Sequence, residues 1–218
     1  KKEIEELFDR IKTDGSFAFE ISDSIAVFAF DGNKTFVVDL ETAKDKIRSV
    51  FEDEKIKKTG HDLKELSKTL LKKGIHVLGL DFDTKLAAYL INSDIKDYDL
   101  DRIYFVEFNK NIDPNPLKRP AYAIELKKFQ WEKLKSLDLL WVFEKIEVPL
   151  APILAEMEIN GVKIDRKAIK KLSGKISGEI TNLQKKIYKL AGEEFNINSP
   201  QQLSAILFEK LLIKGKVR

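Results

Sequence analysis

The chain has 218 residues, 43% hydrophobic and 34% charged, with a formal net charge of +3, which suits one large domain or two modest ones and excludes wholesale disorder. No apolar run nears the ~20 residues of a membrane-spanning helix, and no basic–apolar–small leader opens the chain, so neither a span nor an attached secretory signal is expected. With no cysteine and two histidines, His61 and His76, disulfides, thiolate zinc sites and cysteine nucleophiles are excluded.

The chain opens on lysine, not methionine, and is expected to begin inside a longer protein. Its Lys/Glu-rich, cysteine-free composition fits an origin in a hot environment. Ile4, Leu7, Phe8 and Ile11 recur at helical spacing and predict a first helix that Asp14-Gly15 ends. Three strands are expected next, at Ser16–Glu20, Ser24–Phe30 and Thr35–Asp39. The turn Asp31-Gly32-Asn33-Lys34 joins the last two as an antiparallel hairpin. Ile25–Phe30 is apolar throughout, as in a strand covered on both faces.

The period then changes. Ala43, Ile47 and Val50 predict a helix, Ile56–Thr59 a short strand, and Leu63, Leu66, Leu70 and Leu71 a helix closed by Gly74. Ile75–Leu80 is expected to be a strand. Asp83 or Thr84 caps a helix carrying Leu86, Ala87, Leu90 and Ile91. Strands followed by strand–helix alternation predict an α/β fold, a mixed sheet with flanking helices. Pro114, Pro116 and Pro120 mark 109–120 as a loop, beyond which the chain reads mostly helical.

A domain boundary is expected near 138, giving domains 1–138 and 139–218. Trp131 to Glu147 reads as helix, with a new helix beginning around Pro149 and Pro152, because proline is tolerated at a helix start. Asn160-Gly161 stops it. Ile169, Leu172, Ile176, Ile180, Leu183, Ile187 and Leu190 then recur at steps of three and four over 166–191, a helix of about 39 Å. Its narrow stripe suits one partner helix. Leu203, Ile206, Leu207, Leu211 and Leu212 form that partner's face, opened by the capping box Ser199-Pro200-Gln201-Gln202. So 166–212 is expected to be an antiparallel helical hairpin, while Lys214, Lys216 and Arg218 have the look of a severed end.

Two motifs carry a resemblance. The run Glu147 to Asp165, EVPLAPILAEMEINGVKID, closely resembles the opening of the polymerase domain in bacterial family A DNA polymerases, of the DNA polymerase I type. Leu190-Ala-Gly-Glu-Glu-Phe-Asn-Ile-Asn-Ser-Pro-Gln-Gln-Leu203 with the following Ile206-Leu-Phe-Glu-Lys-Leu211 is similar to the thumb of that family. Upstream, Phe17-Ala-Phe-Glu20, Gly60-His-Asp-Leu-Lys64 and Asp81-Phe-Asp-Thr84 resemble its 3′–5′ exonuclease domain, which implies a ribonuclease-H-like fold.

That exonuclease holds two divalent metals on four carboxylates. The matching positions here are Glu20, Ser22, Leu66 and Leu126, the last in Tyr122-Ala-Ile-Glu-Leu126. One carboxylate of four survives, so the resemblance implies a dead exonuclease site with no catalytic residue and no metal. Asp23, Asp62, Glu65, Glu125, Asp81 and Asp83 are the candidate substitutes; Asp83 reads first as a helix cap. The resemblance further implies that the thumb tip, Asn198, Ser199, Gln201 and Gln202, contacts primer–template duplex, aided by Lys170, Lys171, Lys185 and Lys186; the alternative for Ser199 is a cap alone. Trp131 and Trp141 read as core or domain-interface residues, and His61 and His76 are given no role. The palm and fingers, with their Mg²⁺ and deoxynucleoside triphosphates, would follow residue 218, on the same chain or a second one. The implied setting is the bacterial cytoplasm, at the nucleoid. Rival readings are a working metal-dependent 3′–5′ exonuclease with rearranged carboxylates, and a non-catalytic interaction module.

Overall fold

The computed structural model describes residues 2–31 and 34–213, so Gly32 and Asn33 of the hairpin turn and the terminal Lys214, Lys216 and Arg218 lie outside the described residues. The chain divides between Gly161 and Val162 into two compact units.

The first unit is built on a five-stranded sheet. After helix α1 (Lys2–Asp14), strands β1 (Ser16–Ser22), β2 (Ile25–Ala29) and β3 (Thr35–Asp39) pair antiparallel in sequence order. Asp23, at φ 52°, makes the tight β1–β2 turn. Helix α2 (Lys44–Phe51) carries the chain to β4 (Lys57–Gly60), and α3 (Leu63–Leu71) to β5 (Leu80–Asp83). Both strands add in parallel, giving the order β3-β2-β1-β4-β5. Alternation sends Phe17, Phe19 and Ile21 to one face, where they meet Phe28, Leu7 and Ile11 of α1, Ile47 and Phe51 of α2, and Leu63, Leu66 and Leu70 of α3. The Phe17, Phe19, Phe28 and Phe51 rings lie 4.9–6.0 Å apart. All of β2 except Ile25 is buried, as its unbroken apolar run requires.

The opposite face is covered by α6 (Arg119–Ser136), which packs on β1, β2 and β4. Helices α4 (Thr84–Ile91) and α5 (Leu100–Phe108) flank it, and Leu126 of α6 is buried with Ala88, Leu100, Ile103 and Tyr104. The α5 helix has no counterpart in the sequence expectations.

Two expected elements are placed differently. The strand expected at Ile75–Leu80 is extended chain in which Ile75 and Val77 are buried and His76 and Leu78 exposed; the ladder starts at Leu80. Alternation there reports burial without pairing. Gly79, at φ +66°, passes so close to the 54–56 backbone that a Cβ would sit 2.5 Å from Ile56 O. The helix expected to start at Pro149 starts earlier. The chain breaks at 137–139, where Asp138 has φ 58°, and helical backbone then runs through α7 (Leu140–Val142), a π-helical stretch at Phe143–Glu147, and α8 (Val148–Asn160). In the widened turn Val148 N–H bonds to Phe143 O, five residues back, just before the prolines withdraw their donors. Phe143 and Val148 pack with Phe82 and Leu134. Helix α8 lies on α3, where Glu158 takes Lys64 at 2.6 Å and Lys68 at 2.5 Å. Residues 139–161 are therefore part of the first compact unit. Gly161, at φ +63°, ends α8.

In the second unit, Asp165 caps α9 (Arg166–Ala191) by accepting from Lys167 N and Ala168 N, and Gly192 closes it at φ +76°. Helix α10 (Pro200–Ser204) continues as a π-helical stretch, Ala205–Lys210. These eleven residues reach about 16 Å at 1.5 Å each, so the partner is far shorter than α9. Ile206 and Ala191 are buried and Tyr188 stacks edge-on with Phe195, whereas Ile169, Leu172, Ile176, Ile180 and Leu183 stay about half exposed. The full-length hairpin packing expected over 166–212 is thus confined to the C-terminal end of α9.

Candidate functional site

Strand alternation carries Glu20 and Ser22 to the α6 side of β1. Glu20 is half-buried and Ser22 exposed at the strand end. The other two positions of the constellation are hydrophobic core: Leu66 belongs to the main cluster under the sheet, and Leu126, on α6, is wholly buried against α4 and α5.

The acids that surround this region are already matched with bases or hydroxyls. Arg119, the first residue of α6, donates from Nε to Glu20 Oε2 at 3.4 Å and from its terminal nitrogen to Asp101 at 3.0 Å. Burial pushes the Glu20 carboxyl up, and Arg119 pulls it back. Lys85 pairs with Asp62 at 2.5 Å. Lys127 pairs with Asp81 and also reaches Thr59 Oγ1 at 3.2 Å. Glu65 binds Lys68 at 2.9 Å, and Glu125 accepts from the Tyr104 hydroxyl at 2.7 Å, its phenol pushed up to about 12 by burial and that carboxylate. Asp23 sits in the exposed turn. A hard divalent cation needs several anionic oxygens converging on one point. Among the described residues no three His, Asp or Glu side chains gather in that way. The residues present do not fit a two-metal centre.

Asp83 has a structural duty larger than its sequence position implies. Its carboxylate, 2% exposed, accepts from Lys85 N and Leu86 N at the start of α4. It also accepts from Asp62 N at 3.1 Å and Leu63 N at 2.7 Å at the start of α3. One side chain therefore caps two helices, and the left-handed Asp62 makes no cap bond of its own. Burial pushes this carboxyl up to about 6 against the pull of those N–H donors. Beside it His61, 7% exposed, holds Thr84 Oγ1 from Nδ1 at 2.8 Å and is pushed down to about 4, chiefly by burial and then by Arg119. His76 is exposed, 3.8 Å from Glu156. Trp131 is half-buried against Phe82, but Trp141, expected in a core or interface, is 64% exposed.

In the second unit Ser199 Oγ accepts from Gln202 N at 3.4 Å. The reciprocal bond of the box is displaced: Gln202 Oε1 accepts from Asn196 N at 2.8 Å, while Ser199 N donates to Asn196 O. Ser199 and Gln202 are engaged in folding the turn. The exposed Asn198 and Gln201 side chains make no hydrogen bond among the described residues, and neither do the exposed Lys170, Lys171, Lys185 and Lys186 make ion pairs. The two lysine pairs stand about 22 Å apart along α9.

Two family descriptions match this chain: DNA polymerase I, ribonuclease H-like domain, over residues 19–114, and DNA polymerase family A over residues 166–218. DNA polymerase I of Bacillus subtilis (strain 168) is 34% identical over 229 residues, covering 95% of this chain and 25% of its own length. DNA polymerase I of Bacillus caldotenax is 36% identical over 180 residues, covering 73% of this chain and 20% of its own. Among solved structures, the POL domain of Pol1 from M. smegmatis, in complex with DNA primer-template and dNTP, superposes with a TM-score of 0.82 at 21% identity, over 94% of this chain and 40% of that one. At that identity the likeness is one of fold. The chain spans a quarter or less of the length of these curated relatives.

Proposed function

The chain belongs to the family A DNA polymerases, of the DNA polymerase I type, and from that membership we propose that it scaffolds and holds primer–template duplex within a template-directed DNA polymerase. The palm and fingers beyond this segment supply the two Mg²⁺ ions and the deoxynucleoside triphosphate site. The α9 lysines and the free amides of Asn198 and Gln201 meet phosphates of the duplex. The exonuclease-like domain acts as a body without nuclease chemistry. The observation that carries this last point is the pairing of Glu20, Asp62 and Asp81 with Arg119, Lys85 and Lys127, beside two ligand positions turned into core. These acids are answered by protein cations, and among the described residues no three acids gather to hold a metal that could activate a water.

Incubation of the full chain with Mg²⁺ or Mn²⁺ and a 3′-labelled single strand is expected to release no mononucleotide; metal-dependent release would overturn the nuclease-dead reading. Duplex binding is expected to weaken roughly tenfold or more between 50 and 200 mM salt. Replacing Asn198 and Gln201 together with alanine should lower duplex affinity and leave the unfolding midpoint unchanged. Salt-insensitive binding, or affinity that survives the double variant and a Lys→Gln change at all four lysines, would overturn the DNA-holding role.

A further inference from the structure

Helix α8 ends at Asn160 and is closed by Gly161. Asn160 is the one asparagine of the chain that a glycine follows. Both residues are exposed, and the Asn160 side-chain amide makes no hydrogen bond among the described residues. Around Gly161, at φ +63°, nothing lies within 4 Å of where a Cβ would stand. The dipeptide closes the first compact unit, and the second opens at Val162.

An asparagine followed by glycine sets an electrophilic amide carbon beside its own nucleophile, the next backbone nitrogen. Glycine has no Cβ to shield that nitrogen, and asparagine is among the thermally labile side chains. Here one contact opposes the reaction. Gly161 N–H donates to Met157 O at 3.0 Å, the last i→i−4 bond of α8. While that bond holds, the helical backbone at Asn160 turns the Gly161 nitrogen away from Cγ. Helix ends open at low cost, and the open space around Gly161 leaves nothing else to hold this one shut.

We propose that Asn160-Gly161 is a self-modification site, converted to aspartate and isoaspartate when the last turn of α8 frays. With the bond to Met157 O open, the Gly161 nitrogen loses its proton and attacks Asn160 Cγ. The N–Cγ bond forms, the Cγ–Nδ2 bond breaks, and ammonia leaves with the proton. Water then opens the cyclic imide at either carbonyl. Opening at Cγ gives aspartate; opening at the backbone carbonyl gives isoaspartate, with one more methylene in the main chain. No oxidant, metal or second protein takes part. Either product sets a carboxylate on the final turn of α8, at the negative end of the helix dipole and one turn from the exposed Glu156. The modification thus loosens the turn that restrained it, and it does so whether or not α9 holds duplex.

The test incubates the full chain at neutral pH and digests it with trypsin. The fragment 146–163, in which Asn160 is the one asparagine, is followed by mass and by a separation that resolves isoaspartate. Conversion of Asn160 to both acids is expected, roughly three- to tenfold slower than in a synthetic peptide of residues 156–165, the protection that one hydrogen bond gives. Ile159→Gly weakens the last turn and should raise the chain's rate roughly twofold or more, while the peptide carrying the same change keeps its own rate. Hydroxylamine, which traps the imide, should cut the chain between Asn160 and Gly161. An unconverted chain beside a fully converted peptide, or a rate equal to the peptide's and unmoved by Ile159→Gly, would overturn the proposal.

Discussion

Replacing His61 with glutamine should change the acid stability of this protein in a direction fixed by burial. In the folded chain the imidazole is pushed down from 6.5 to about 4, because it lies almost wholly out of water with Arg119 and Lys85 nearby, against the smaller pull of Asp62 and of a hydrogen bond to the Tyr98 backbone. The unfolded chain takes up a proton below pH 6.5, and the folded chain does not until about pH 4. Stability contributed by the neutral ring is therefore full above pH 6.5 and lost as pH falls toward 4. Each unit of separation is worth ~1.4 kcal/mol, so the loss approaches about 3 kcal/mol. Asp83 opposes it: its carboxyl is pushed up from 3.8 to about 6, so its share falls as pH rises through the same window. Together the two nearly cancel between pH 4 and 6, which hides both in the wild type. Glutamine keeps a partner for Thr84 and does not titrate. Urea unfolding of both proteins at several pH values from 7 to 4.5 gives a difference curve from which Asp83 drops out. His61→Gln should gain about 2.5 kcal/mol relative to wild type over that range. A difference curve that moves by less than ~1 kcal/mol would show that the ring protonates in the folded state at its ordinary pKa.

Three further outcomes are expected. Lys58 is fully buried, donates to Asp53 O, and is pushed down to about 8 by burial. Lys58→Met should raise stability at pH 7 by roughly 1–2 kcal/mol and remove the rise in stability between pH 8 and 10.5, both read from urea midpoints. Gly79→Ala would drive a Cβ to 2.5 Å from Ile56 O at a positive φ, at a cost of about 2–4 kcal/mol by the same assay. Asp83→Ala uncaps α3 and α4 together, and a loss of about 2–4 kcal/mol at pH 7 with unchanged denaturant slope is expected; a loss near the ~1 kcal/mol of a single cap would mean that only one helix depends on it.

Much of the fold was legible because period is a direct record of which face is buried. The three antiparallel strands, the α1 stripe of Leu7, Phe8 and Ile11, the Asp83 cap and the whole of α9 from Asp165 to Gly192 follow from spacing and end signals. What escaped is what spacing does not encode. Ile75–Leu80 alternates as a strand does but packs without a neighbouring strand to bond. The site was readable as an absence of ligands, yet the bases that answer the surviving acids come from far away. Arg119 lies 99 residues from Glu20, Lys127 lies 46 from Asp81, and Lys85 lies 23 from Asp62. The second helix held by Asp83 is likewise 20 residues upstream. Only the folded sheet brings them together.

The Glu158 bond to Lys64 and Lys68 has a practical corollary for anyone dissecting the protein. Scissors applied at 138 would peel α8 from α3 and pull Phe143 and Val148 out of the packing around Phe82, leaving a wound of bare hydrocarbon. Trimming after Gly161, where the left-handed glycine already marks a pause, keeps every one of those surfaces clothed.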